Sequence, residues 1–285
     1  MKKEFNTDIL LWLDIALDDL HSSRILYENG KYRSSYFHFQ QASEKANKAM
    51  AVMAGILSPE ELADIQHDQL KIYRKSLVKQ EAKVQEIKKI FEIFPKGNEH
   101  PFFEADTLAT QTGALSLGIA SIDSLSNRNL KDISLGELGG IVRQINTIKN
   151  TKVKLPKDLN KFLDTKFLDV ANWMGQFPTQ EAKIAEKEYI DFVKDKEASA
   201  EVYGYVTKIF SLSVEIGVIE MVLFYCAILT IKHSSATRYP QGSGNPLKEY
   251  STKMPIIKRQ PVFMDLLESA IEGLKRIHHL PNGKN

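Results

Sequence analysis

Apolar residues recur every three or four positions along most of the chain, and this spacing predicts helices. In residues 8–28, Trp12, Ala16 and Leu20 lie near one face, while polar residues fill much of the remainder. Asn29-Gly30 is expected to end this helix, because glycine adopts the backbone conformation of a helix C-terminus without strain. A second stripe ends at Gly55 and consists of Phe39, Ala42, Ala46, Ala49 and Met53.

The remaining helices are predicted from capping motifs and from further apolar stripes. Ser58-Pro59-Glu60-Glu61 and Ser134-Leu135-Gly136-Glu137 each place a glutamate three residues after a serine cap, which is typical of helix starts. The predicted helices span residues 68–94, 106–126, 135–149, 156–175, 179–197, 199–233 and, opened by Pro261, 261–279. We find no alternating apolar run bounded by hairpin turns, so the predicted fold class is all-α.

Composition sets broad limits on the class of protein. The 285 residues include 38 basic and 36 acidic ones, and a net charge of +2 neither favours nor excludes a nucleic-acid partner. Cys226 is the single cysteine, so no intramolecular disulfide forms, which fits a reducing compartment. We therefore predict a cytoplasmic location.

Neither a secretory signal nor a membrane span is predicted. Acidic residues interrupt the N-terminal stretch MKKEFNTDILLWLDIALDD, which also lacks a small-residue cleavage site. The most apolar run, residues 221–231, has 11 residues between Glu220 and Lys232, whereas about 20 are needed to cross a bilayer. We interpret this run as the centre of a buried helix and expect no membrane partner.

Known motifs for metals, phosphate loops and nucleophiles do not occur. The chain has no His-Glu-x-x-His and no cysteine pair, so no metal site is predicted. The stretch QGSGNP lacks the lysine of a phosphate-binding loop, and no nucleophile-elbow pattern occurs. We accordingly predict no cofactor.

Both ends of the chain carry a recognisable set of polar and aromatic positions. The N-terminal set consists of Asp19-Leu20, Gly30-Lys31-Tyr32, Tyr36, Gln40-Gln41-Ala42, Glu44-Lys45, Lys48-Ala49 and Gly55, followed by His67, Asp68 and Leu70. Downstream, Arg238-Tyr239-Pro240 precedes a helical pattern at residues 262–279. With these residues, roughly positions 8–72 and 230–280 resemble a HEPN domain, a small helical module of prokaryotic toxins, defence proteins and nucleotidyltransferase partners.

The resemblance implies a domain plan and a dimer. It predicts a HEPN-like up-and-down helical bundle formed by residues 1–80 and 200–285, with residues 81–199 as a helical insertion. HEPN-like domains commonly pair, so a homodimer is expected. Polar residues of the second predicted helix are then candidates for the dimer seam, where they fix register more than they add stability. These residues are Gln40, Gln41, Glu44 and Lys45.

Arg33 and His38 match the Arg-x4-His spacing that the resemblance associates with metal-independent ribonucleases. Histidine moves protons near neutral pH, and the planar guanidinium of arginine stabilises charge on phosphate. Five helical positions correspond to about 140° of rotation, so the two side chains do not share a helix face. The alternative interpretation is a solvated arginine at the helix start and a histidine packed at an interface.

A second candidate group consists of His67, His233, Arg238 and Tyr239. If the two ends of the chain pack together, these residues are expected to meet at one end of the bundle. There they would bind a phosphate and stack a base. The alternative is that they are turn residues and capped helix ends.

Three function classes follow from these observations. The first is a binding or regulatory HEPN module that contacts nucleotide, RNA or a partner protein. The second is a metal-independent ribonuclease of toxin or defence type that uses Arg33 and His38. The third is a dimeric helical scaffold without a ligand.

Overall fold

The structure, a computed structural model, describes residues 8–93, 100–101, 105–127, 133–150, 158–233, 237–239 and 245–280. Helices dominate this part of the chain and it contains no strand, so the all-α prediction is confirmed. The helices are α1 (Ile9–Glu28), α2 (Tyr32–Met53), α3 (Leu62–Ile65), α4 (Leu70–Ile93), α5 (Ala105–Asn127), α6 (Leu135–Asn150), α7 (Leu159–Met174), α8 (Gln180–Lys194), α9 (Lys196–Ile231), α10 (Pro246–Glu249) and α11 (Pro255–His278).

Contacts divide the chain into two compact units. The first comprises Met1–Leu77, Ile119–Thr151 and Ile216–Asn285, and the second comprises Val78–Gly118 and Lys152–Glu215. Residues 119–151, inside the predicted insertion, thus belong to the same unit as both ends of the chain. The insertion itself stays a prediction.

The first unit is built around α1, α2 and α11. Only three residues join α1 to α2, so these long helices pack antiparallel, and α11 packs against both. Their apolar stripes meet in one core that includes Leu13, Leu20, Phe39, Ala42, Ala46, Phe263 and Leu267. Both ends of the chain therefore share a core.

Helix ends in this unit follow the predicted signals. Gly30 (φ 69°) and Gly55 (φ 65°) follow α1 and α2 in the left-handed region that favours glycine. At the first capping box, the Ser58 amide donates to Glu61 Oε2 (2.9 Å) and the Glu61 amide to Ser58 Oγ (3.4 Å). At the second, the Ser134 amide donates to a carboxylate oxygen of Glu137 (2.9 Å).

The predicted start of the last helix at Pro261 is wrong. Helix α11 begins at Pro255, and Pro261 lies inside it. A proline at the first position needs no helical N–H partner, whereas an interior proline removes one bond and crowds the preceding turn. Ile257 and Phe263 on either side of Pro261 are buried. Their tertiary packing stabilises the helix on both sides of the proline, so the helix continues through it.

Helix α9 carries the most apolar stretch of the chain. By length and composition it is the one described helix able to cross a membrane, and 44% of its most apolar window is buried. The core helix of a soluble protein meets the same criteria, so this is weak evidence. Leu223, Cys226 and Ala227 of α9 are fully buried in the first unit, as predicted, but residues 221–231 form the C-terminal end of α9 and not its centre.

The second unit has an aromatic cluster between α7, α8 and the first part of α9. The Phe167 ring stacks on Tyr189 and Tyr203 and meets Phe192 edge-on. The Tyr203 hydroxyl donates to Asp164 Oδ1 (2.6 Å), which lowers the pKa of that carboxyl. These contacts give the second unit its own packed centre.

Candidate functional site

An open groove of about 400 Å³ lies between the start of α2 and the segment 237–239. We call it the α2 groove. It is lined by Arg33, Ser34, Phe37, His38, Thr237, Arg238 and Tyr239. Two arginines, a histidine and two aromatic rings thus share one surface that carries no carboxylate among its lining residues.

Arg33 fastens the segment 237–239 to α2. Its Nη1 donates to the Thr237 carbonyl (2.8 Å) and its Nη2 to Ser34 Oγ (3.4 Å). Its Nε is buried and has no hydrogen-bond partner in the described part of the chain. Each Nη still carries a second N–H, and Arg33 lines the groove, so its guanidinium keeps donor capacity for an anion there.

Arg238 reaches over α2 from the other side of the groove. Its guanidinium carbon lies 5.1 Å from the centroid of the Phe37 ring, a cation–π arrangement. Its Nε is also buried without a partner among the described residues. The adjacent Tyr239 is 65% exposed, so its ring is accessible to a ligand.

His38 is oriented by a carboxylate behind the groove. Its Nδ1 lies 2.9 Å from Asp19 Oδ1, and the other carboxylate oxygen accepts a bond from Lys45 Nζ (2.6 Å). The Asp19 side chain is only 16% exposed. A carboxylate accepts hydrogen bonds, so Nδ1 donates to it, and Nε2 is the acceptor nitrogen of the neutral ring.

The Arg33–His38 pair lines one groove despite the 140° between the two positions. Arg33 is the second residue of α2, and its long side chain folds toward Thr237. The 140° rotation sets the direction in which each side chain leaves the helix. The long, flexible side chain of an arginine at a helix end can bend away from that direction.

A second groove, of about 270 Å³, lies beside the start of α4. We call it the α4 groove, and it is lined by Ile65, Gln66, His67, Asp68, Lys71, Ile231 and Lys232. The exposed His67 ring bonds through Nδ1 to Glu44 Oε2 (2.9 Å). Asp68 Oδ1 is buried and unpartnered within the described residues.

Glu44 and Lys48 form a buried ion pair under the α4 groove. They are 7% and 8% exposed, and Lys48 Nζ lies 2.8 Å from Glu44 Oε1. Gln40 Nε2 also donates to Glu44, at 3.0 Å. Burial disfavours the charged carboxylate, but Lys48 and His67 outweigh it and hold the pKa of Glu44 below its ordinary value.

The second predicted group does not assemble as one cluster. Arg238 and Tyr239 lie with Arg33 and His38 in the α2 groove, and His67 lies in the α4 groove. His233 is 1% exposed, and its Nδ1 is 2.7 Å from the Tyr250 hydroxyl in the core. Pro240 of the predicted Arg-Tyr-Pro turn lies outside the described residues.

Several residues of these grooves were not predicted as site residues. Phe37 and Lys71 follow the helical pattern of their segments, and neither stands out from it. Asp19 entered the prediction only through the family resemblance. In the sequence it lies 19 residues from His38, which is too far to reveal a side-chain pair. In the described part of the chain, no group of three or more His, Cys, Asp or Glu side chains is arranged to hold a metal.

Comparison with known families identifies the N-terminal region. The family model described as HEPN domain matches residues 9–99, about a third of the chain, and confirms the predicted resemblance there. The match does not extend to residues 230–280. No curated protein and no solved structure shows a match to this chain. A HEPN domain is in general a nucleotide- or RNA-associated module, whereas the homodimer and the partner protein stay predictions.

Proposed function

We propose, from the HEPN domain that residues 9–99 contain, that this protein binds single-stranded RNA or a nucleotide in the α2 groove. Arg33 and Arg238 bind the phosphate, and Tyr239 stacks a base. The observation that carries the proposal is the convergence of two arginines and an exposed tyrosine on one groove without an acidic lining residue. Guanidinium groups pair well with phosphate, and aromatic faces stack bases of any identity.

The charge distribution supports an anionic ligand. The whole chain carries only +2, yet none of the residues lining the α2 groove is acidic. Asp19 lies behind His38 and is paired with Lys45, so its charge is compensated locally. A cationic groove raises the local concentration of a phosphate-bearing ligand even when the protein as a whole is nearly neutral.

The test is fluorescence anisotropy of a labelled 12-nucleotide single-stranded RNA with native protein, Arg238→Ala and Tyr239→Ala. We expect both variants to bind more weakly, Tyr239→Ala by about 5- to 150-fold, since one stacked base contributes about 1–3 kcal/mol. Arg238→Ala should also make the salt dependence shallower by about 0.7 in log–log slope, as expected for one lost phosphate contact.

Matched controls come from exposed residues that do not line the groove. Arg259→Ala removes an exposed arginine of α11, and Tyr205→Ala removes a tyrosine that is 55% exposed. We expect both to bind RNA as the native protein does. Equal affinity of native protein, Arg238→Ala and Tyr239→Ala would refute the proposal.

The pairing of His38 with Asp19 favours a second candidate function, metal-independent RNA cleavage. In that reaction, His38 Nε2 takes the proton of a ribose 2′-hydroxyl and Asp19 fixes the ring. The 2′-oxygen then bonds to phosphorus while the P–O5′ bond breaks, the leaving 5′-oxygen takes a proton from water, and Arg33 stabilises charge on the phosphate. The test is RNA cleavage in EDTA by native protein, Arg33→Ala, His38→Ala and Asp19→Asn. Cleavage that survives in His38→Ala, or none by native protein on varied RNAs, counts against it.

A further inference from the structure

The two grooves are joined by an unbroken series of side-chain hydrogen bonds along α2. From His38 it runs through Asp19, Lys45, Gln41, Gln40 and Glu44 to His67. Its longest contact is 3.5 Å, between Lys45 Nζ and Gln41 Oε1. Residues that follow α9 line both grooves as well, Lys232 the α4 groove and Thr237 the α2 groove. All these residues belong to the first unit.

The α4 groove has features of a ligand site in its own right. Gln66 adopts φ 51° and ψ −118°, a conformation that non-glycine residues rarely populate. Such strain occurs preferentially at functional sites. The turn places the exposed His67 and the half-buried Asp68 in the groove, with Lys71 one turn further along the chain. The buried Asp68 Oδ1 is an acceptor that still lacks a donor in the described part of the chain.

The chemistry of the α4 groove fits a ribonucleotide unit. Lys71 and Lys232 supply donors for a phosphate, whereas the His67 ring, whose Nδ1 donates to Glu44, offers Nε2 as an acceptor for a ligand hydroxyl or amine. Asp68 supplies an acceptor for a ribose 2′-hydroxyl or an exocyclic amine, which a phosphate alone would not use. The negative charge of Glu44 is balanced by Lys48, so it does not oppose a phosphate in the groove.

The separation of the grooves fits a short stretch of one strand. Phe37 lines the α2 groove and Glu44 contacts His67 of the α4 groove, seven positions apart on α2. At 1.5 Å per residue these positions are about 10 Å apart along the helix. A stacked strand has one phosphate per about 3.4 Å, so about three nucleotides cover that distance.

We propose that the α4 groove is a second subsite for the same RNA strand, so that the ligand is an oligonucleotide spanning both grooves and not a mononucleotide. This inference rests on the proposed function of the α2 groove. It adds a ligand class and a second set of binding residues, His67, Asp68 and Lys71. With Asp68 accepting from the ribose 2′-hydroxyl, RNA should bind more tightly than DNA of the same sequence.

The experiment compares two labelled RNAs, a 5′-phosphorylated dinucleotide and a 12-nucleotide strand, on native protein, Lys71→Ala and Arg238→Ala. We expect Lys71→Ala to weaken binding of the 12-nucleotide strand about 3- to 10-fold and to leave dinucleotide binding unchanged. Arg238→Ala should weaken binding of both. Lys258→Ala, an exposed lysine of α11 that lines neither groove, is the matched control.

The possible outcomes separate this inference from the proposed function. If Arg238→Ala weakens both ligands while Lys71→Ala weakens neither, the α4 subsite is refuted and the α2 groove stands. If Arg238→Ala binds both ligands like native protein, or native protein binds neither, both proposals fail. Asp68→Ala removes the side-chain acceptor, and it should reduce the preference for RNA over DNA. An unchanged preference would remove Asp68 from the subsite.

Discussion

The buried ion pair between Glu44 and Lys48 makes a strong prediction about stability. Both side chains are about nine-tenths buried, and Glu44 also accepts bonds from Gln40 and His67. Glu44→Gln keeps the shape of the side chain but removes its charge. Lys48 is then a buried cation without a counter-charge. This uncompensated charge is the main reason why removal of one partner of a buried ion pair destabilises the fold.

The magnitude follows from burial. Breaking a buried pair by removing one partner costs about 3–5 kcal/mol. Glutamine retains one oxygen that accepts from Lys48, and His67 is exposed enough to be solvated, so we expect about 2–3 kcal/mol. For a chain of this size each kcal/mol lowers Tm by about 2–4 °C, so the expected fall in Tm is about 4–12 °C.

The sign of the pH dependence provides a second readout. The folded-state pKa of Glu44 lies below its unfolded value of about 4.3. Its charge therefore stabilises the fold fully above about pH 4.3, and this contribution is lost as the pH falls through the folded pKa. The difference in stability between native protein and Glu44→Gln should be largest near pH 7 and shrink below about pH 4.

Urea unfolding at pH 7 and at pH 3.5, followed by circular dichroism, measures both effects. Glu268→Gln is the matched control, because Glu268 pairs with Arg24 at 2.7 Å but is 52% exposed. An exposed pair contributes less than about 1 kcal/mol. A loss below about 1 kcal/mol in Glu44→Gln at pH 7, or a loss that is equal at both pH values, would show that the Glu44 charge does not stabilise the fold.

Three further predictions concern single buried or strained positions. Tyr36→Phe should lower the free energy of unfolding by about 1–3 kcal/mol, because the buried hydroxyl donates to the Leu229 carbonyl at 2.8 Å. Gly30→Ala should cost about 1–2 kcal/mol in thermal unfolding because of its positive φ, whereas Gly113→Ala in α5 should be neutral or stabilising. Burial raises the pKa of the Cys226 thiol to about 12, so it should react with a thiol reagent only after denaturation, and rapid labelling of native protein would contradict this.

Helices were predictable because local signals and tertiary packing agree in them. The stripe through Phe39, Ala42 and Ala46 is fully buried, and Gly30 and Gly55 end the first two helices as expected. At Pro261 the two disagree: the proline is a strong local signal for a helix start, but packing places it inside α11. Continuation of α11 through an interior proline depends on contacts with residues of other helices, and the local sequence around Pro261 does not contain that information.

The candidate site was predictable in its residues but not in their grouping. Arg33, His38, Arg238 and Tyr239 were all named from the sequence, yet as two separate groups. About 200 positions separate Arg33 from Thr237, whose carbonyl it binds, and no local pattern reports such a contact. His233 was grouped with them on the expectation that the two ends of the chain pack together, whereas packing of Tyr250 against it buries the ring.

Binding and cleavage require different arrangements of Arg33 and His38. Cleavage requires His38 Nε2 and a guanidinium at the same phosphate and 2′-hydroxyl, within hydrogen-bond reach of the reacting atoms. Arg33 already uses Nη1 to hold Thr237, so its remaining donors are directed by that bond. Binding requires only that both side chains contact the same strand, and Arg238 supplies a second guanidinium for it. We therefore expect Arg33→Lys to weaken RNA binding and to lower stability together, since lysine donates from a single nitrogen and lacks the planar fork that reaches both the Thr237 carbonyl and the groove.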